Sequence, residues 1–390
     1  MPLLQQTSLQ LPANFETYAE GKQKGFLRMK ELKEQGRQVV GVFCSFVPLE
    51  IIHAAGLIPV GLCSFSEESI PAGERDLPRN LCPLIKASYG YAVSDTCPYF
   101  YFSDLIVGET TCDGKRKMFE LMNEIKPTYV MQLPHQRSEV ALQVWRDEII
   151  RLKEKLEDFF DVTIAEDDIL QAISDKNRER KAVLSYLELG KNKPSPISGY
   201  EMGTRLDAGA FSFDIEERIH SMETRVAEIM EEYEQNKDQL DPERPRVIIT
   251  GCPNAGVRDK VIRRVEELGA DVVGFDACNG TREKVELVDE NEPDVYLALA
   301  KKYLDINCSV MSPNPSRIEY LSNMIDEYQA DGVIEVILQA CHTFNIESHF
   351  VRRMVNEKGK AYLGIETDYS TSDSGQISTR LAAFVETMSF

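Results

Sequence analysis

The sequence predicts an α/β protein: two parallel-sheet domains joined by a helical connecting segment. Three observations carry this reading. Eight short apolar runs rich in β-branched residues alternate with helical stretches, the pattern of strands buried on both faces and crossed over by helices. Between the fourth and fifth runs, residues 139–240 hold long charged amphipathic segments and no strand. At 390 residues the chain is too long for one typical core and comfortable for two.

Taken in order, residues 1–36 form an N-terminal helical arm, with an amphipathic Lys- and Glu-rich helix from about Asn14 to Gln35. The first α/β domain, 37–138, contains strands at Gln38–Phe43, Leu57–Leu62, Asp104–Glu109 and Thr128–Leu133, with a helix at Pro48–Ala55. In the helical segment, 139–240, Val140–Phe160 and Ile215–Asn236 read as helices and Lys191–Gly199 as a loop. Its acidic helices read as a solvated face or a docking surface. The second α/β domain, 241–390, brings strands at Arg246–Thr250, Asp271–Phe275, Asp331–Leu338 and Ala361–Glu366.

The two halves resemble each other. VVGVFC–helix–AGLIPVGL parallels VIITGC–helix–LGADVVGF, DLIVGETTC parallels DGVIEVILQAC, and TYVMQLP parallels YLGIETD. Cys44 then matches Cys252, Cys82 roughly matches Cys308, and Cys112 matches Cys341. The spacing agrees: 22 residues separate Cys82 from Asp104 and 23 separate Cys308 from Asp331.

A formal net charge of −20 argues against nucleic-acid or anionic-membrane partners, which would be repelled. No apolar stretch reaches membrane-spanning length. The first fifteen residues lack both a basic and an apolar region of a secretory leader. The expectation is a cytoplasmic protein.

Nine cysteines are the unusual feature. An odd number in a cytosolic chain makes a disulfide framework a poor explanation. None lies in a CxxC arrangement, which argues against a zinc ribbon, a thioredoxin-type dithiol or a ferredoxin-type run. Any metal must therefore be gathered by the fold. Cys44, Cys112, Cys278 and Cys341 follow predicted strands, at the carboxyl edge where parallel sheets bind ligands. Thiolates select iron–sulfur clusters, zinc or copper(I). The segments after Cys82, Cys112 and Cys341 start helices, whose N-termini favour thiolate. Lys86, Lys115 and Arg116 are candidates to offset anionic charge. Candidate ligands are Cys44, Cys82, Cys112, Cys278, Cys308 and Cys341, with Cys252 in reserve. Cys63 and Cys97 read as small packing side chains.

Other chemistries are poorly supported. GCPNAGVRDK sits where a phosphate loop would, but matches neither GxGxxG nor GxxxxGK[ST]. The five histidines form no HExxH motif. His342, beside Cys341, is a candidate proton donor, and Glu50, at a helix start, a candidate substrate contact.

The blocks VPLEIIHAAGLIPVGL, LPRNLCPLIKASYGYA, SDLIVGETTCDGKRKM, DGVIEVILQACHTF and LGIETDYSTSDSGQISTRLAAFVE resemble the 2-hydroxyacyl-CoA dehydratase and benzoyl-CoA reductase superfamily over nearly the whole chain. The resemblance implies two flavodoxin-like domains, a helical part and a [4Fe–4S] cluster on three cysteines, which map to Cys82, Cys112 and Cys341. The surplus of cysteines is most similar to the double-cubane cluster proteins, whose [8Fe–9S] unit needs six thiolates. The resemblance then implies a reductase of small molecules such as acetylene, azide or hydrazine. Its electrons would come from a separate ATP-hydrolysing [4Fe–4S] activator dimer, and the chain itself would form a homodimer. The alternative is a 2-hydroxyacyl-CoA dehydratase subunit with one [4Fe–4S] cluster. A third reading, from another class, is a non-catalytic electron carrier or a zinc-binding structural protein.

Overall fold

The computed structural model describes residues 20–209, 212–278 and 280–388. Eight strands form two four-stranded sheets, parallel throughout. The first sheet contains β1 (Val39–Val42), β2 (Ile58–Gly61), β3 (Leu105–Glu109) and β4 (Thr128–Met131). The second contains β5 (Arg246–Gly251), β6 (Asp271–Asp276), β7 (Gly332–Leu338) and β8 (Ala361–Thr367). All eight predicted strands are present, and the orders β2-β1-β3-β4 and β6-β5-β7-β8 are the same. That order is flavodoxin-like.

Burial explains why the apolar runs were legible. The central strands β1, β3, β5 and β7 are buried at every residue, whereas the edge strands β4 and β8 are largely half-exposed. Helices cover both faces, so a central strand has no polar side to show.

Of the N-terminal arm, the helix Glu20–Glu34 is described, and the part of the predicted helix before residue 20 lies outside the described residues. Lys33 ties it to the first sheet by donating to Asp104 Oδ1 at 2.7 Å.

The connecting segment is built from helices Glu139–Phe160, Glu166–Leu187, Gly199–Gly209 and Ile215–Asn236. The first starts where Ser138 Oγ accepts from the Ala141 N–H, and the last where Asp214 accepts from the Glu217 N–H, each a side-chain cap on an orphan amide. Ala141, Trp145, Ile149, Leu152, Leu156 and Phe160 form one buried stripe. Their apolar cluster also contains Val40 and Leu105 of the first sheet and Val247 and Val336 of the second. The segment is thus a wedge of shared core between the sheets rather than a tether. Among the described residues, no helix is long and apolar enough to cross a membrane.

Candidate functional site

Strand ends deliver the cysteines. Cys44 stands two residues beyond β1, Cys63 two beyond β2 and Cys112 three beyond β3. In the second half Cys252 directly follows β5, Cys278 stands two beyond β6 and Cys341 three beyond β7. Cys82 and Cys308 lie in the segments between β2 and β3 and between β6 and β7. The backbone turns sharply at several of these points. Cys44 and Ala340 have φ of 64° and 59°, left-handed values that cost a non-glycine residue free energy. Gly251, before Cys252, has φ of 110°, and a Cβ there would lie 2.1 Å from the Val336 carbonyl oxygen.

Cys82, Cys112 and Cys341 each cap the N-terminus of a helix, namely Pro83–Val93, Asp113–Ile125 and His342–Glu357. The first-turn amides behind each sulfur favour its charged form: Leu84 and Ile85 for Cys82, Gly114 and Lys115 for Cys112, Phe344 for Cys341. This is the arrangement expected to hold negative charge on sulfur.

The two halves meet at these thiols. Cys44 and Cys278 act on each other across the sheets, with Cys63 and Cys308 within electrostatic reach of Cys278. Cys252 acts on Cys341, and Cys82 and Cys112 both feel Cys341. Cys341 in turn feels Cys278, which joins the two groups. Eight of the nine cysteines therefore converge, and all nine are free thiols. Cys97 stands apart as the cap of the short helix Pro98–Phe102, consistent with a packing role. Cys63 departs from the sequence reading, because it lies inside the group. Its offset from β2 equals that of Cys278 from β6, an equivalence that the predicted strand ends did not show.

Buried cations flank the sulfurs. Cys278 is held well below the usual thiol range, first by Cys44 and then by the Arg282 guanidinium, whose Nη1 lies 3.7 Å from the Cys278 sulfur. Arg282 is fixed by Asp276 at 3.2 Å, and Asp276 also binds Arg317 at 3.3 Å and accepts from Thr250. Burial pushes Cys82 up to about 12. Lys115 is buried too, with its ammonium 5.7 Å from the Phe43 ring centre. Burial works against its charge, but Cys44, Cys63, Glu109 and Cys112 overcome this and raise its pKa. Lys86, by contrast, is engaged by Glu74 at 2.7 Å, and Arg116 is exposed beside Asp113.

Three buried polar groups in this region have no hydrogen-bond partner among the described residues: both oxygens of Glu109, the hydroxyl of Ser64 and the phenol of Tyr369. Burial pushes Glu109 up to about 7. Local patterning carried no sign of Glu109 or Tyr369, since each was an ordinary residue at a strand end.

The donor set is all sulfur and exceeds the needs of one four-coordinate ion. Among the described residues no three His, Cys, Asp or Glu side chains are grouped as ligands of a single metal ion. Thiolates on a tetrahedral zinc lie only ~3.8 Å apart, given Zn–S bonds of ~2.3 Å. An iron–sulfur cluster takes its thiolates on separate irons, and so farther apart. Soft, abundant donors drawn from both sheets fit the second case.

The remaining candidates are not part of the thiol group. His342 is exposed at the first turn of its helix. Glu50 is fully buried in an ion-pair network, where it accepts from Arg180 at 2.6 Å and from the Tyr303 hydroxyl at 2.7 Å.

Comparison with known proteins gives the family context. The family model for 2-hydroxyglutaryl-CoA dehydratase, D-component, matches residues 44–388. A putative dehydratase subunit YjiM of Escherichia coli is 49% identical over 96% of this chain and 98% of its own length. The (R)-phenyllactyl-CoA dehydratase beta subunit of Clostridium sporogenes is 23% identical over 92% of this chain and 94% of its own. One of the benzoyl-CoA reductase subunits of Thauera aromatica is 26% identical over 68% of this chain and 64% of its own. Among solved structures, the periplasmic zinc binding protein TroA of Treponema pallidum aligns over 91% of this chain with a TM-score of 0.22 and 10% identity, too slight a likeness to argue from.

Proposed function

From the premise that this chain belongs to the 2-hydroxyglutaryl-CoA dehydratase D-component family, we propose that it is an iron–sulfur reductase with an [8Fe–9S] double-cubane cluster. The observation that supports this reading is the convergence of eight thiols from two sheets, more than a single cubane uses. In this reading Cys82, Cys112 and Cys341 hold one cubane, and Cys44, Cys278 and Cys308 the other. The division follows their neighbours: Cys341 acts on both Cys82 and Cys112, while Cys278 acts on both Cys44 and Cys308. When bound, such a cluster supplies single electrons at low potential.

The chain's own residues prepare the site for that role. Helix N-termini behind Cys82, Cys112 and Cys341 favour the thiolate form. Arg282 and Lys115 stand as buried positive charges beside the thiols, and Asp276 keeps Arg282 from turning away. Electrons would be delivered by a separate ATP-hydrolysing [4Fe–4S] activator dimer, with the chain acting as a cytoplasmic homodimer on a small-molecule substrate. Anaerobic iron and acid-labile sulfide analysis tests the reading. About eight irons and nine sulfides per chain support it, and absence of iron after anaerobic reconstitution overturns it.

The names of the relatives favour a second reading, a dehydratase subunit with one [4Fe–4S] cluster acting on a CoA thioester. It expects about four irons per chain and saturable binding of a CoA ester.

A further inference from the structure

Tyr369 follows β8 on the second sheet, and its side chain is 6% exposed. Its hydroxyl has no hydrogen-bond partner among the described residues, although a buried tyrosine hydroxyl normally finds one. Leaving it unpaired costs free energy. After burial itself, the groups that act on this phenol are Cys82, Cys252, Cys63 and Cys341. They belong to both sheets and to both thiol groups. Tyr186, another buried tyrosine with an unpaired hydroxyl, lies in the Glu166–Leu187 helix and feels only Glu201, Arg205 and Arg225 besides burial.

The ring is hemmed in by its neighbours. Phe65 meets it edge-on, with centroids 6.5 Å apart and planes at 82°. Gly256 lies so close that a Cβ there would come within 2.5 Å of Tyr369 Cδ1. The following backbone is anchored as well: Lys260 donates to the Ser370 carbonyl and to Asp373, both at 2.7 Å, and the Ser370 N–H donates to Asp368 at 2.8 Å. Such a hydroxyl can rotate about its C–O bond but cannot leave the sulfurs.

We infer that Tyr369 donates its phenolic O–H to a sulfur of the cluster held by these cysteines, and so raises the cluster's reduction potential. The inference rests on the iron–sulfur reading above. Its physical basis is that a hydrogen bond to sulfur stabilises the added electron, and that a neutral donor does so without bringing a counter-charge.

The test uses the full-length protein, reconstituted anaerobically, and its Tyr369→Phe variant, which removes one oxygen and keeps the ring. The expected result is unchanged iron and sulfide content with a midpoint potential more negative than wild type. Resonance Raman spectra of the wild type should show iron–sulfur stretches that shift in deuterated water, with that shift reduced in Tyr369→Phe. An unchanged potential and an unchanged isotope shift in iron-loaded protein overturn this inference alone. Loss of iron from Tyr369→Phe also overturns it, by making the residue a packing element. If the wild type takes up no iron, both this inference and the proposed function fail.

Discussion

Glu50 and Arg180 stand 130 positions apart in the chain and meet in a 2.6 Å ion pair, with side-chain exposures of 0% and 1%. Glu50 belongs to the helix after β1, and Arg180 to the connecting segment. Arg180 also binds Glu283 at 2.9 Å, and Glu283 in turn binds Lys302 at 2.7 Å, both in the second half. One buried charge network thus clamps the two α/β halves through the helical wedge. The same halves present the cysteines to each other.

Removing one partner from such a network strands the others in a medium that solvates charge poorly. Glu50→Gln should therefore lower stability by roughly 3–5 kcal/mol in urea unfolding, a much larger loss than for an exposed pair such as Arg28–Glu31. Burial raises the Glu50 pKa, but Arg180, Lys302 and Lys176 outweigh it and hold the folded value below the ordinary one. This contribution is therefore complete above the unfolded carboxylate pKa of about 4.3 and is lost as pH falls through the folded value. A Glu50→Gln protein as stable as wild type would show that the network does not clamp the fold.

His53 governs a higher pH window. Burial lowers its pKa to about 4, with Lys176 and Arg218 acting in the same direction, and its Nε2 has no partner among the described residues. The unfolded chain, at about 6.5, binds the proton first. Stability should be full above about pH 6.5 and fall by up to about 3 kcal/mol as pH drops toward about 4. His53→Gln should flatten that slope. Denaturant midpoints measured across this range decide it, and an equally steep slope in His53→Gln would count against the assignment.

A serine scan separates ligands from bystanders. Cys82→Ser, Cys112→Ser and Cys341→Ser should each lose iron after reconstitution, as should Cys44→Ser, Cys278→Ser and Cys308→Ser. Cys97→Ser should match wild type, because that residue caps a separate helix. Cys63→Ser and Cys252→Ser should keep the full iron count, since six thiolates suffice for two cubanes. Iron loss in either of these two would reassign the ligand set.

Packing behind the Cys82 helix gives a test independent of metal. A Cβ on Gly90 would lie 1.9 Å from the Ser69 carbonyl oxygen, whereas one on Gly375 would meet nothing within 4 Å. Gly90→Ala should destabilise by about 1–3 kcal/mol through overpacking, despite alanine's better helix propensity. Gly375→Ala, at an exposed helix position, should be neutral or stabilising by up to about 1 kcal/mol. Thermal unfolding of the pair reads the difference directly. Equal midpoints would contradict the close approach.

By itself the sequence determined the strands, their repeated order and the delivery of Cys44, Cys112, Cys278 and Cys341 to strand ends. Strands buried on both faces must be apolar over a few consecutive residues, and so they announce themselves locally. Cys82, Cys112 and Cys341 were legible as helix starts for the same reason. The tertiary structure alone decided the rest. Cys63 joined the thiols because β2 and β6 occupy equivalent edges of sheets that face each other. Glu50 became a buried clamp because Arg180 and Tyr303 arrive from distant segments. The phenol of Tyr369 came among sulfurs because Gly256 lets its ring approach. Each of these depends on how two sheets pack across a shared core. That packing is a sum of long-range contacts, and no window of neighbouring residues records it.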